Sequence, residues 1–415
     1  MKKFHITAVC VPEKHYMVDI SAKIAQIEEL ISQGEYFTIN RARQYGKTTM
    51  FSALSRKLKD RYLVIRLSFE GVGDKFFEND TSFVLNFIRQ VGKGMKKGNA
   101  PEDLINCWAD TSDFLADEDP FMYLSEKITV LCDTSETEVL LMIDEVDKSS
   151  DNQIFLHFLG ILRNKYLEHM DSGEATFKSV ILAGVYDIKN MKLQLRPEEE
   201  EKYNSPWNIA VDFQVDMSFS PDEIQTMLQE YEADYHTGMN MTEISREIYK
   251  YTSGYPYLVS AICKWIDEQG DKIWTVDNVV CATKYIVNHK STLIDSLIKN
   301  YENHLELQSV IDRMILEGYE FPFTRTDAVV DLGVTFGIFS GENGILRISN
   351  KIFEIILYNH IIMKNLRTQR LDLPLTSQFI QDGKLDMEQV LIKFQELRKA
   401  EYRQEDEKII FEITV

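Results

Sequence analysis

The chain is poor in the residues that build covalent or metal frameworks. Only five cysteines occur in 415 residues, at Cys10, Cys107, Cys132, Cys263 and Cys281. They are odd in number, scattered, and form no CxxC pair, so neither a disulfide framework nor a zinc site of that spacing is indicated. Reduced thiols are the simplest reading and point to a cytoplasmic protein. The eight histidines show no HExxH or paired spacing, and His157, on an apolar helix face, reads as a packed core residue. No GxSxG motif is present. Runs of 18 apolar residues are missing, and the N-terminus MKKFHITAVCVPEKH lacks an apolar h-region. A membrane span and a secretory signal are therefore not expected. Positive charge is scarce too: 46 Lys and Arg stand against 66 Asp and Glu, a formal net charge of −20. That argues against a surface made to bind nucleic acid or anionic membrane, leaving only a local basic patch.

What remains is a chain rich in core-forming residues, 44% hydrophobic and 27% charged. Its length suggests two to four domains, with no internal repeat and no long low-complexity linker. Ser21–Ser32 places Ile24, Ile27, Leu30 and Ile31 at helical spacing. Tyr36–Ile39 is a short apolar strand, followed by a helix over about Gly46–Lys59. Tyr62–Phe69 reads as a strand, and helices follow near Ser82–Met95 and Pro120–Cys132. Val139–Ile143 and Ser179–Val185 are continuous apolar runs, the mark of parallel strands buried on both faces. A helix joins them over Gln153–Glu168, and Val211–Met217 is expected to close the sheet. Strands alternating with helices predict a doubly wound α/β domain.

After Ser218 the strand signals stop. Ser220 and Glu223 form a capping-box pattern. Helices run through Tyr249, Tyr257–Glu268, Val276–Asn288 and Leu305–Leu316. A helix or turn near Thr326–Asp331 precedes a hairpin of Gly337–Ile338 against Leu346–Ile348, turning at Gly341–Gly344. Ile352–Ile362 is a last apolar helix. Helices with a two-stranded wing predict a winged-helix-like module. The expected organisation is an N-terminal segment and first helix (1–33), an α/β core (34–218), a helical lid (219–290), a winged-helix-like module (291–370) and a C-terminal tail (371–415).

The sharpest chemical signal is Gly46-Lys47-Thr48-Thr49 between a strand and an amphipathic helix. A phosphate needs unobstructed backbone N–H groups, which Gly46 permits, and a helix N-terminus, whose dipole carries roughly half a positive charge. It also needs a mobile cation, Lys47, and a hydroxyl for Mg²⁺, Thr48. In the full G-x-x-x-x-G-K-[ST] pattern the first glycine would stand where Arg41 is. Arg41 and Arg43 either contact phosphate or only decorate the loop. Tyr45 and Thr49 complete the expected cradle. The second signal is Leu140-Leu141-Met142-Ile143-Asp144-Glu145. An Asp ending a buried strand beside a phosphate loop can hold Mg²⁺ through water, and the adjacent Glu can orient or deprotonate an attacking water. Asp147 and Lys148 read as structural.

Four segments resemble the bacterial AAA-like P-loop ATPases, near the STAND branch: YMVDIS (Tyr16–Ser21), NRARQYGKTT (Asn40–Thr49), LLMIDEVDK (Leu140–Lys148) and TSGYPYLV (Thr252–Val259). The second is similar to a family form that also lacks the first glycine. The resemblance implies a P-loop fold with ATP and Mg²⁺ as ligands. Lys47 and Thr48 would bind phosphate and Mg²⁺, Asp144 would position Mg²⁺, and Glu145 would activate water. Tyr16 to Val18 would lie near adenine, and Gly254 to Pro256 would reach the nucleotide from the lid; a plain helix-breaking turn is the bland reading of the latter. Tyr186 or Asp187 would be the sensor position, and Arg196 is the nearest guess for an arginine finger. ATP rather than GTP follows from the resemblance alone.

Many relatives of this kind carry a C-terminal nuclease-like domain, so the tail is read as an abridged or missing one, and a nuclease-like domain or partner is an expected associate. Glu200-Glu201-Lys202 and Asp406-Glu407-Lys408 read as charged surface rather than nuclease acids. The expected function is a Mg²⁺-dependent ATPase acting as a nucleotide-driven switch, as a homo-oligomer or alone. The alternatives are a non-hydrolysing nucleotide-binding scaffold and a winged-helix DNA-binding regulator. Residues 291–370 hold 8 Lys and Arg against 10 Asp and Glu, with Lys364, Arg367 and Arg370 the sole basic cluster; this disfavours DNA reading.

Overall fold

The computed structural model describes residues 2–115, 117–146, 153–185, 207–269 and 271–368, with 380–381, 384–385, 387–388 and 391 beyond. Tyr186, Asp187, Arg196, Asp147, Lys148, Arg370 and both acidic-lysine triplets lie outside the described residues. The chain divides into two compact units, Met1–Tyr358 and Asn359–Val415.

The first unit is built on a four-stranded parallel sheet. Its strands are β1 (Phe37–Asn40), β2 (Leu63–Ser68), β3 (Val139–Asp144) and β4 (Ser179–Gly184), in the spatial order β1-β4-β3-β2. Every residue of β3 and β4 is buried, as continuous apolar runs demand when helices cover both faces. The period of two divides them. Leu141, Ile143, Val180 and Leu182 face one core, packed by the phenylalanine-rich helices α3 (Asp80–Lys97), α5 (Pro120–Thr134) and α6 (Gln153–Ser172). Leu140, Met142, Ile181 and Ala183 face the other, packed by α1 (Ser21–Ser32) and α2 (Lys47–Leu58). A short helix, α4 (Glu102–Ala109), pads the first core through Leu104, Ile105 and Trp108.

Two sequence expectations are corrected here. Residues 211–217 form no strand. Val211 makes a single parallel bridge to Phe37, after which the Val215 carbonyl accepts from the Arg41 guanidinium (3.0 Å) rather than from a strand. Val215 and Met217 are buried all the same, which is why the segment reads as a strand. His157 is half exposed, 4.0 Å from Asp80, because it sits just off the stripe formed by Phe155, Phe158 and Leu159.

Beyond the sheet come α7 (Pro221–Tyr235), α8 (Met241–Thr252), α9 (Pro256–Glu268), α10 (Val276–Asn288) and α11 (Thr292–Asn303). The capping box forms as read: the Ser220 hydroxyl accepts from the Glu223 N–H, and the Glu223 carboxylate accepts from the Ser220 N–H. Then follow α12 (Leu305–Leu316), α13 (Ala328–Thr335), a hairpin of β5 (Phe339–Glu342) and β6 (Ile345–Ile348), and α14 (Lys351–Thr368), whose second half belongs to the second unit. The hairpin is longer and its turn tighter than expected. Asn343 and Gly344 both take positive φ, 52° and 78°, as a two-residue type I′ turn requires. The second unit contains a two-stranded pairing of β7 (Ile380–Gln381) and β8 (Lys384–Leu385). No helix among the described residues is long and apolar enough to cross a membrane.

Candidate functional site

The parallel register brings the carboxyl ends of all four strands to one edge. Asn40 lies beside Gly184, and Ser68 beside Asp144. In an open α/β sheet this edge is where ligands bind. The loop leaving β1 turns there through Gln44 (φ 58°) and Gly46 (φ 82°), and α2 starts at Lys47. Gly46 meets no atom within 4 Å of an added Cβ, so its need is the left-handed backbone and an open approach to the helix N-terminus. A cavity of about 600 Å³ opens above it, a size suited to a small-molecule ligand.

Lys47 is only 7% exposed. Its ammonium donates to the Arg41 carbonyl (2.8 Å) and the Ala42 carbonyl (3.0 Å), which folds the loop around it. Asp144, at the end of β3, is 2% exposed, and its Oδ1 accepts the Glu145 N–H (3.1 Å). Glu145 takes φ 57°, a left-handed conformation that costs a residue with a Cβ and is concentrated at functional positions. Arg66 of β2 joins the two parts. Its Nη2 donates to the Thr48 carbonyl (3.2 Å) and lies 3.9 Å from Asp144 Oδ2. One nitrogen within reach of both places the Thr48 backbone near the Asp144 carboxylate. Thr48 lines the cavity and the buried Asp144 ends β3 near the same turn of α2, and a hydroxyl and a carboxylate are oxygen donors of the kind a hard cation such as Mg²⁺ takes.

Of the residues picked out in the sequence, Arg43, Tyr45, Gly46, Lys47, Thr48, Thr49, Glu145, Tyr16, Val18 and Pro256 all line this cavity. Asp144, the residue before Glu145, is buried and does not itself line it. Arg41 is the correction. It does not line the cavity; its guanidinium donates to the Asn40 and Val215 carbonyls (2.9 and 3.0 Å) and lies over the Phe213 ring. Carbonyl acceptors on the sheet edge hold it away from the helix N-terminus.

Tyr255, which precedes α9, reaches the loop: its hydroxyl donates to the Arg43 carbonyl (2.5 Å) and its ring packs edge-on against Tyr45 (4.6 Å). Burial raises the phenol pKa of both, Tyr45 to about 12. Tyr16, ahead of α1, donates to Asp234 of α7 (2.7 Å), and Lys23 of α1 pairs with Glu223 (2.8 Å). Both contacts tie α1 and the residues ahead of it to α7.

Several lining residues carry no signal in the sequence. Residues 5–10 cross the cavity, held by the Cys10 N–H on Thr49 Oγ1 (3.3 Å) and by a backbone bridge of Lys3 to His15. Glu70, just past β2, and Thr292 and Ser296 of α11 also face it. They arrive through tertiary contacts, without periodicity or motif. Among the described residues no cluster of three His, Cys, Asp or Glu could hold a metal ion.

A comparison with curated protein sequences finds no match. Among solved structures, the chain is similar to a Walker-type ATPase of Pyrococcus abyssi, with a TM-score of 0.50 and 14% identity over 85% of this chain and 99% of that one. The ORC2 protein of Aeropyrum pernix, solved with ADPNP and ADP, matches at a TM-score of 0.42 and 13% identity over 88% of this chain and 98% of that one. The first likeness shows the fold, a P-loop ATPase sheet. A family model described as AAA-like domain matches residues 8–319, and the chain belongs to that family.

Proposed function

We propose that the protein binds ATP with Mg²⁺ and hydrolyses it, using the energy of binding to set the position of its lid and C-terminal module. The observation that carries the reading is the meeting at one cavity of the N-terminus of α2 with Lys47 and of a left-handed Glu145, which follows the buried Asp144 at the carboxyl end of β3. In this reading the N–H groups from Gly46 to Thr49 and the Lys47 ammonium bind the β- and γ-phosphates. Thr48 and Asp144 hold Mg²⁺, which when bound neutralises charge on the phosphate oxygens. Glu145 orients the attacking water and takes its proton, while Arg43 and Tyr45 flank the phosphates. Tyr16, Val18 and Pro256 border the base and ribose, and Thr49 lies beside the α-phosphate.

Three contacts support a switch rather than a passive container. Gln44 donates to Thr292 of α11 (2.7 Å), Tyr255 donates to Arg43, and Gly337 approaches Ala42 so closely that an added Cβ would stand 2.7 Å from the Ala42 Cβ. Each joins the phosphate loop to a different element outside the sheet, so a loop that shifts around γ-phosphate must move all three. We assign residues 34–218 as the ATPase core, 219–290 as the lid and 291–370 as a winged-helix-like module. The test is phosphate release from radiolabelled ATP by wild type and Glu145→Gln. Wild type is expected to turn over in a Mg²⁺-dependent manner, and Glu145→Gln to bind ATP with little turnover. Equal rates for the two remove the enzyme claim. Sedimentation with and without nucleotide tests the homo-oligomer.

A further inference from the structure

Asp144 is a carboxylate buried beneath the phosphate loop, with one oxygen taken by the Glu145 N–H. A charge so placed costs several kcal/mol unless a cation stands near it. Among the described residues the cation beside the second oxygen is Arg66, 3.9 Å from Oδ2. Its head is set there by the Thr48 carbonyl and by the Phe51 ring of α2, 5.9 Å away, and its side chain is 30% exposed. Nothing in the sequence marks Arg66; it is one polar position in an apolar strand.

We propose that Arg66 is the resident counter-ion of Asp144 in the metal-free protein, and that its charge lowers the affinity of the site for Mg²⁺. The inference rests on the reading that Thr48 and Asp144 hold Mg²⁺. Without metal, Arg66 balances the carboxylate and ties β3 to the first turn of α2. When Mg²⁺ arrives with nucleotide, guanidinium and dication share one carboxylate and repel. The protein thus keeps a stable metal-free state, and the metal is released more readily after hydrolysis.

The test measures binding of a non-hydrolysable ATP analogue across a Mg²⁺ series, with melting temperatures alongside, for wild type, Arg66→Met and Arg66→Lys. Repulsion between a unit charge and a dication, discounted to the high dielectric of a partly exposed group, amounts to about tenfold in affinity. Arg66→Met is expected to half-saturate at about tenfold lower Mg²⁺. It should melt lower than wild type without metal and recover most of that loss with Mg²⁺ and analogue. Arg66→Lys, which keeps the charge, should stay near wild type. An unchanged or higher Mg²⁺ requirement in Arg66→Met, or an equal melting loss with and without metal, overturns the proposal and leaves the ATPase reading intact. If wild type takes up no analogue at any Mg²⁺ concentration, the ATPase reading fails first and the proposal falls with it.

Discussion

Gly254, in the turn between α8 and α9, packs against the backbone of Phe219 ahead of α7, and replacing it by alanine tests that packing directly. Its φ is +74°, and an added Cβ would stand 2.1 Å from the Phe219 carbonyl oxygen, 2.7 Å from its nitrogen and 2.8 Å from its carbonyl carbon. All three are backbone atoms and cannot rotate away. The left-handed backbone alone costs a Cβ-bearing residue roughly 1–2 kcal/mol. Moving the two segments apart also loses the Phe219 N–H bond to the Gly254 carbonyl (2.8 Å), about 1 kcal/mol. With the overlap itself, Gly254→Ala should cost about 3 kcal/mol or more, a fall in melting temperature of about 6 °C or more. Gly173→Ala supplies the control. Gly173 has a similar φ, +76°, with nothing within 4 Å of its added Cβ, so only the backbone term of roughly 1 kcal/mol remains. Because Pro256 lines the cavity two residues on, Gly254→Ala should also weaken nucleotide binding, and Gly173→Ala should not. Equal stability losses in the two variants refute the argument from close packing.

Other outcomes follow from the same geometry. Glu145→Gln should lower turnover about 100-fold or more while ATP binding persists, as expected for removal of a base that acts only in the chemical step. Native thiol titration at pH 8 should modify Cys107 and Cys281 quickly, since both are exposed. Cys263, buried and with its pKa raised by burial, should react only on unfolding, and Cys132, pushed up to about 12 for the same reason, should lag. Glu232 is held below the usual carboxylate range: burial works upward, but the Thr237 hydroxyl and the N–H groups of Thr237 and Gly238 outweigh it. Its contribution to stability is therefore present above the ordinary glutamate range and lost as pH falls through its lowered native value. Glu232→Gln should flatten the acid limb of a stability-against-pH curve below about pH 4.5 and leave the neutral region's slope unchanged.

Elements whose local signals agree were legible from the residues alone. Ser21–Ser32, Val276–Asn288 and Leu305–Leu316 begin and end where periodicity and flanking residues put them. The parallel strands were legible because two-sided burial leaves unbroken apolar runs, and the strand-to-helix junction at Gly46 because a glycine ahead of an amphipathic run marks it. What escaped reading depends on contacts distant in sequence. Residues 211–217 carry a strand's composition, yet the Val215 carbonyl is claimed by Arg41, 174 positions earlier. Arg41 itself stands where a glycine would open the loop, and only the fold reveals that its guanidinium turns to the sheet edge. Helix α4 is eight residues long, too short for a periodic signal, and α11 became relevant only when Gln44 met Thr292. The crossing of the cavity by residues 5–10 has no regular pattern and is set by the Lys3 to His15 bridge.

The central claim is that the cradle at the start of α2 grips a triphosphate with Lys47 as its counter-charge. Calorimetric titration of wild type and Lys47→Ala with a non-hydrolysable ATP analogue and Mg²⁺ tests it most directly. Loss of two charge-assisted hydrogen bonds predicts an affinity about 100-fold lower for Lys47→Ala, at a melting temperature that shows the variant still folded. The same affinity for both proteins would contradict the account.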